Sequence, residues 1–239
     1  MTAATLPLPR LAPAWTYRPG PDVGFDPPPG LRAVQALARA GAAAGLAAVR
    51  PGVSEREVER AVSDRLYQGG AVGIWTITNV GLGENTKVCF PTRPPTDLVA
   101  QEQDVLMVDV HPISGDGSWG DCTRCTVIGD YAEARKALAD LETLHYETLA
   151  RCRPGMPANE LFGMTSERLT AEGYVLLDLL ANIGHSLTAG AAYLHKFIDA
   201  GNPTPMWGAW AVEPFASRGD IAVKVEDLVW FGRERCQII

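Results

Sequence analysis

Two stretches of this chain, about a hundred residues apart, carry the same local grammar. AAVRPGVSEREVERAVSDRL near residue 50 and LARCRPGMPANELFGMTSERL near residue 153 each read as a helix end, an Arg-Pro-Gly stop, a short cap and a second helix. Proline cannot extend a helix ladder and glycine accepts the left-handed conformation that closes one, so each Arg-Pro-Gly ends a helix. A repeat of this length exceeds any solenoid unit and points to two halves related by a pseudo-twofold axis. The alternative is that Arg-Pro-Gly recurs only as a common terminator. The first pair of helices is expected over Leu31 to Val49, where alanine dominates, and after Ser54, whose partner Glu57 completes a capping box. The second pair is expected over Tyr131 to Arg151 and Asn159 to Glu172. Outside them the period changes, and Ile74 to Val80, Val105 to Val110, Trp119 to Ile128 and Leu176 to Ile183 read as strands. Helices and strands in each half make an α+β fold.

A length of 239 residues with 46% hydrophobic side chains supports one sizeable core. The net charge of -7 comes without runs of like charge, which argues against a nucleic-acid track or a polybasic membrane anchor. No apolar stretch suits a membrane span or a signal peptide, so a cytoplasmic location is expected. Residues 1–30 hold many of the 18 prolines and read as an extended arm, one that could pack on a neighbouring subunit. Five cysteines are an odd number and are expected to be reduced thiols. Cys122 and Cys125 form a C-x-x-C inside an expected strand, where they would face opposite ways, so neither a zinc nor a redox role is assigned.

The acidic residues fall in telling places. Asp109 ends the apolar run Val105-Leu106-Met107-Val108, where an unpaired charge would be costly and needs a cation or hydrogen bonds. Asp121 follows a Gly-rich turn, so two adjacent strands could bring the two carboxylates together. Glu213 ends the apolar segment from Ala209. Alternation through Ile221 to Phe231 places Lys224, Glu226 and Leu228 on one face and Val223, Val225 and Asp227 on the other. His185 stands beside Gly184, which permits close approach. Four carboxylates and an imidazole make an oxygen-rich set suited to Mn, Fe, Co or Zn.

Taken in order, these motifs resemble the metallopeptidase family that includes methionine aminopeptidase, Xaa-Pro dipeptidase and creatinase. VLMVDVHPISGDGSWGDCTRCTVIGD is similar to the family's strand pair with its D-x-T-R-T segment. NIGHS resembles the start of its histidine motif, AVEP its Glu-Pro motif and AVKVED its R-x-E-D motif. The resemblance covers about residues 31 to 232. It implies the pita-bread fold, two pseudo-symmetric halves with a curved antiparallel sheet covered by helices, over residues 31–239. It also implies two divalent metal ions (Mn, Fe, Co or Zn) held by Asp109, Asp121, His185, Glu213 and Glu226. Asp121 and Glu226 would bridge them, and a metal-activated hydroxide would attack an amide while Glu213 relays the proton.

The departures from the family pattern bear on substrate. The family's upstream histidine has only Cys89 and Phe90 in its neighbourhood, and Ala192 occupies the spacing of the second outer histidine. His195, three residues on, is the candidate catalytic replacement. Lys224 stands where the family prefers arginine, and with Cys89 and Phe90 it is expected to face the substrate. The resemblance implies a homodimeric hydrolase of the Xaa-Pro aminopeptidase or dipeptidase kind. One alternative is a repurposed member acting on a small amine, amide or sulfonium compound, with one metal or two. The other is a non-enzymatic binding module.

Overall fold

The computed structural model describes residues 20–239. The helices are α1 (Pro29–Ala48), α2 (Glu55–Gln68), α3 (Ala132–Leu149) and α4 (Ala158–Ala171). After α2 come β1 (Ala71–Ile74), β2 (Asn79–Leu82), a 3₁₀ helix at Gly83–Lys87, β3 (Val105–Val110), β4 (Pro112–Ser114) and β5 (Cys122–Val127). After α4 come β6 (Val175–Leu176), β7 (Asn182–Thr188), β8 (Ala191–Asp199), β9 (Gly208–Val212) and β10 (Phe215–Arg218). The chain closes with β11 (Ile221–Lys224), β12 (Asp227–Phe231) and β13 (Cys236–Ile238). A helix pair followed by antiparallel strands thus occurs twice, and Gly52 and Gly155 of the two Arg-Pro-Gly stops both have positive φ, 91° and 68°.

Local signals explain most boundaries. Ser54 caps α2 through the reciprocal bonds expected with Glu57. α1 begins two residues before Leu31, because a proline at the first turn costs no hydrogen bond. Four expected strand segments differ. Ile74 to Val80 is broken at Trp75–Thr78, where Trp75 turns to donate its indole N–H to the Gly120 carbonyl. Leu176 to Ile183 is divided between β6 and β7, and Trp119 to Ile128 narrows to β5. Ile221 to Phe231 is likewise two strands in different sheets, parted at Val225 and Glu226.

The strands form four antiparallel sheets, of which two position the site. One has the order β2-β3-β5, and the other β13-β12-β9-β7-β8. They meet where the Glu226 backbone N–H donates to the Thr123 carbonyl at 3.2 Å. Cys122 packs into the cluster under α1 and α2, whereas Cys125 packs on the opposite side with Leu141 and Leu144 of α3. All five cysteines are free thiols. Residues 1–19 of the expected arm lie outside the described residues. From Gly20 to Pro28 the chain lies on its own last strands: Val23 is buried beside Trp230 and Ile239, and Trp230 donates to the Gly24 carbonyl. No helix among the described residues is long and apolar enough to cross a membrane.

α1 approaches α2 and β3 closely at two glycines. A Cβ on Gly45 would stand 2.8 Å from Val62 and 3.2 Å from both methyls of Val108. Gly45→Leu is therefore expected to destabilise the protein by about 1–3 kcal/mol through overpacking. Denaturant unfolding of the two proteins would measure this, and an unchanged midpoint would show that α1 can move aside.

Candidate active site

The site lies at the seam between the two sheets, and its side chains come from strand residues and from the residues that directly flank strands. Asp109 pairs across β3 and β5 with Thr123 and across β2 with Asn79. Asp121 immediately precedes β5, and its backbone is clamped by Gln35 of α1. That side chain donates to the Asp121 carbonyl at 2.6 Å and accepts from its N–H at 2.9 Å. His185 lies on β7 opposite Ala211, with register shifts on both sides of it that re-aim the ring. Gly184 has φ 143°, and a Cβ there would stand 2.1 Å from the Ala211 carbonyl oxygen, so only glycine lets β7 and β9 close at this point. Glu213 follows β9, held by its N–H bond to the Ile183 carbonyl.

These elements bring Asp109, Asp121, His185, Glu213 and Lys224 to one cavity of about 240 Å³, and Glu226 is buried beside Lys224. His185 Nε2 lies 3.5 Å from Asp121 Oδ2 and 3.5 Å from Glu213 Oε1. Lys224 Nζ lies 2.6 Å from Glu213 Oε2, 3.1 Å from Asp109 Oδ2 and 3.6 Å from Glu226 Oε2. Thr123 donates its hydroxyl to Glu226 Oε2. Cys89 and Phe90 both line the cavity, and Cys89 Sγ lies 3.4 Å from Asp109 Oδ2 and 3.4 Å from Lys224 Nζ. His195 is elsewhere: its ring stacks on Trp210, its backbone N–H donates to Ser186 Oγ, and it does not line the cavity.

One central residue escaped the sequence reading. His111 is buried with Nε2 3.0 Å from Asp109 Oδ1 and 3.6 Å from Asp121 Oδ1. The signal was present, since residues two apart on an extended chain share a face and Asp109 was already singled out. Trp75 and Tyr193 were also missed. Trp75 sets its edge against His111 and His185 and stacks on Trp119, while Tyr193 packs on His185 with centroids 4.6 Å apart. Nothing in their local sequence marks them: Trp75 lies between β1 and β2, and Tyr193 lies on β8, which reaches the site by pairing with β7.

The electrostatics are those of crowded buried acids. Burial raises Asp121 well above the usual carboxylate range, and repulsion from Glu226, Asp109 and Glu213 adds to it. Glu226 is also raised, by burial first and then by Glu213 and Asp109, against the pull of Lys224. Burial opposes ionisation of Asp109 too, yet Lys224 and His111 outweigh it and hold this carboxyl well below its ordinary value. Burial disfavours the charged form of Lys224, but Asp109 and the neighbouring acids overcome that and keep it protonated. Burial lowers His185, which favours the neutral, ligating imidazole.

A divalent metal is tested by what the donors lack. Asp109 Oδ1, both oxygens of Asp121 and Glu226 Oε1 are buried without a hydrogen bond. Buried oxygens of this kind are costly unless something cationic meets them. Asp109, His111 and Asp121 each offer one ligand atom within 4.8 Å of the others. Carboxylates with neutral imidazoles suit the first-row divalent ions, so the residues fit a metal.

The sequence model of the metallopeptidase family M24 matches residues 29–230. A methionine aminopeptidase of Chlamydia pneumoniae is 32% identical over 95 residues, 39% of this chain and 31% of that protein. The chain thus matches about a third of that curated relative. Among solved structures, a prolidase from Pyrococcus horikoshii OT3 superposes with a TM-score of 0.77 at 18% identity. The match covers 87% of this chain and 60% of that one. An X-Pro aminopeptidase from Thermotoga maritima MSB8 gives 0.73 at 18% identity, over 87% and 59%. At these identities the likeness establishes the fold, which is the pita-bread fold expected from the motifs.

Proposed function

Because this chain belongs to metallopeptidase family M24, we propose that it is a metal-dependent hydrolase of an amide bond in a short peptide or a peptide-like small molecule. The observation that carries this reading is the set of Asp109, Asp121, Glu213 and two imidazoles lining one cavity, with Glu226 buried beside Lys224 and with buried carboxylate oxygens that make no hydrogen bond. Asp109, Asp121, His185, Glu213 and Glu226, joined by His111, are the proposed ligands, and manganese, iron, cobalt or zinc the proposed metal. A divalent ion there would supply Lewis acidity toward the amide carbonyl and lower the pKa of water.

The chain's own groups do the rest. Glu213 is the only one of the four carboxylates with appreciable exposure, 17% of its side chain, and is the proposed proton carrier between water and the leaving amine. Lys224 Nζ lies 2.6 Å from one of its oxygens, and His185 flanks the other. Trp75 and Tyr193 wall the cavity and limit water around the reacting bond.

A second reading is favoured by the same walls. Cys89 and Phe90 offer no strong hydrogen-bond donor to a substrate carbonyl. Trp75, Tyr193 and Phe197 line a small space beside carboxylates, which suits a compact cationic group. On that reading the substrate is a small amine, amide or sulfonium compound.

The two separate in one assay. Metal-loaded enzyme is tested on a dipeptide library that includes Xaa-Pro and Met-Xaa peptides, and in parallel on small cationic amides. Metal-dependent release of amine from dipeptides at about 1–1,000 per second supports the peptidase. Turnover confined to the small compounds supports the second reading. Absence of metal binding and of hydrolysis in both arms would refute the proposal. Light scattering tests the expected homodimer.

A further inference from the structure

β8 departs from regular pairing where it passes the site. Between the pairs His185–Phe197 and Leu187–Ala192, Ser186 of β7 alone faces the residues from Tyr193 to Lys196. Tyr193 and Lys196, at the two ends of this bulge, have φ of 64° and 67°, a left-handed conformation that is strained for a bulky side chain. The bulge is braced on both sides. Ser186 Oγ accepts the His195 N–H at 2.8 Å, and the buried Asn202 amide donates to the carbonyls of His195 at 3.0 Å and Phe197 at 2.7 Å. A bulge beside a site re-aims a side chain. Here it sets the Tyr193 ring on His185, with centroids 4.6 Å apart, and against Phe197 and Trp75 at 5.2 and 6.4 Å.

We propose that Tyr193 is a catalytic residue whose phenolic O–H donates a hydrogen bond to the carbonyl oxygen of the substrate amide as that oxygen gains negative charge. The cavity has few other groups for this task. The indole N–H of Trp75 is committed to Gly120, the Asn182 amide to Asp178, and the Lys224 ammonium to carboxylates. Cys89 is a weak donor and Phe90 none. The hydroxyls of Thr76, Thr92 and Tyr193 remain, and of these three side chains only that of Tyr193 packs its ring on a proposed ligand. Its hydroxyl stands near the acids: burial first, and then the charges of Glu213, Asp121 and Asp109, raise the phenol above its ordinary range. An ordinary phenol already keeps its proton at neutral pH and can donate it to a hydrogen bond. That proton stays on Tyr193 throughout. Water adds to the amide carbon, and the C–N bond breaks as the leaving amine takes up the proton that Glu213 carries. Strain in the bulge is thus tied to a donor aimed at the oxygen where charge develops.

This inference rests on the reading of the site as a metal-dependent hydrolase, and the measurement separates the two. Tyr193→Phe keeps the ring on His185 and removes only the oxygen. The probe is aminomethylphosphonate, whose tetrahedral anionic oxygens resemble an amide carbon under attack, and glycinamide is its planar counterpart. Both are titrated calorimetrically into full-length protein loaded with Mn²⁺. The unaltered protein is expected to bind the phosphonate more tightly than glycinamide. Tyr193→Phe is expected to weaken the phosphonate by roughly 10–100-fold, as for a hydrogen bond to a charged group. Glycinamide affinity, Mn²⁺ content and melting temperature should stay unchanged. On any amide that the unaltered protein hydrolyses, kcat should fall about 100–1,000-fold with KM little altered, the usual effect of removing one such donor. Equal phosphonate affinity in the two proteins, or no preference for the phosphonate in the unaltered protein, would overturn the inference and leave the hydrolase reading intact. A fall in Mn²⁺ content or melting temperature in Tyr193→Phe would also overturn it, by giving the hydroxyl a structural role. Absence of both Mn²⁺ binding and hydrolysis in the unaltered protein would overturn the two together.

Discussion

Asp121→Ala is expected to abolish metal-dependent activity and to strip the metal, with affinity falling by more than the roughly 10–100-fold seen for residues that only support a ligand. Asp121 is 1% exposed, both its oxygens lack hydrogen bonds, and it lies between His111 and His185. Its loss removes the donor common to both imidazoles. Stability separates this role from a structural one. In the metal-free protein Asp121 is an acid among acids, and like charges about 4 Å apart cost roughly 4 kcal/mol at an effective dielectric constant of 20. Asp121→Asn, which keeps the volume, is therefore expected to leave the metal-free melting temperature unchanged or higher. What disappears is the metal-induced gain, about 2.7 kcal/mol when the ion is at a hundred times its Kd. Calorimetric melting with and without Mn²⁺ measures both. If Asp121→Asn kept the full metal-induced rise, Asp121 would not be a ligand. Cys122→Ala, in the next position but packed into the core under α1, is expected to leave metal content unaltered.

Asp227→Ala is expected to cost about 3–5 kcal/mol of stability, the usual penalty for removing one partner of a buried charge network. Asp227 is fully buried and accepts from Arg124 at 2.7 Å, Arg39 at 2.9 Å and His145 at 3.2 Å. Arg124 also donates to the Glu226 carbonyl, so the network ties α1, β5 and α3 to the junction between β11 and β12 that carries Glu226. Metal affinity should fall with it, and Asp227→Asn should lose less of either. Chemical denaturation with a parallel metal titration is the check, and a loss under about 1 kcal/mol would show that the arginines find solvent instead. Burial opposes the Asp227 charge, but the bonds from His145 and Arg124 prevail and hold its carboxyl far below the ordinary range. A depressed folded-state value gives stability that is present above the unfolded value, about 3.9, and is lost as pH falls from there toward the folded value. The alanine variant should lack that acid limb.

The helix pairs and most strand segments were legible in the sequence because their causes are local: the Arg-Pro-Gly stops, the Ser54–Glu57 box, the apolar run into Asp109. The candidate ligands Asp109, Asp121, His185, Glu213 and Glu226 were legible for a related reason: Asp109 and Glu213 close apolar stretches, Glu226 stands in an alternating one, and Asp121 and His185 follow glycines in motifs of the family. Folding decided what depends on two distant segments meeting. It placed His111 among the acids, turned His195 onto Trp210 outside the cavity, and lifted Trp75 out of an expected strand to reach Gly120. Above all it set Lys224 between Asp109 and Glu213. Alternation along β11 can assign a face to a lysine, but whether its ammonium meets solvent or three carboxylates is fixed by the seam of two sheets, where burial makes the pairing obligatory.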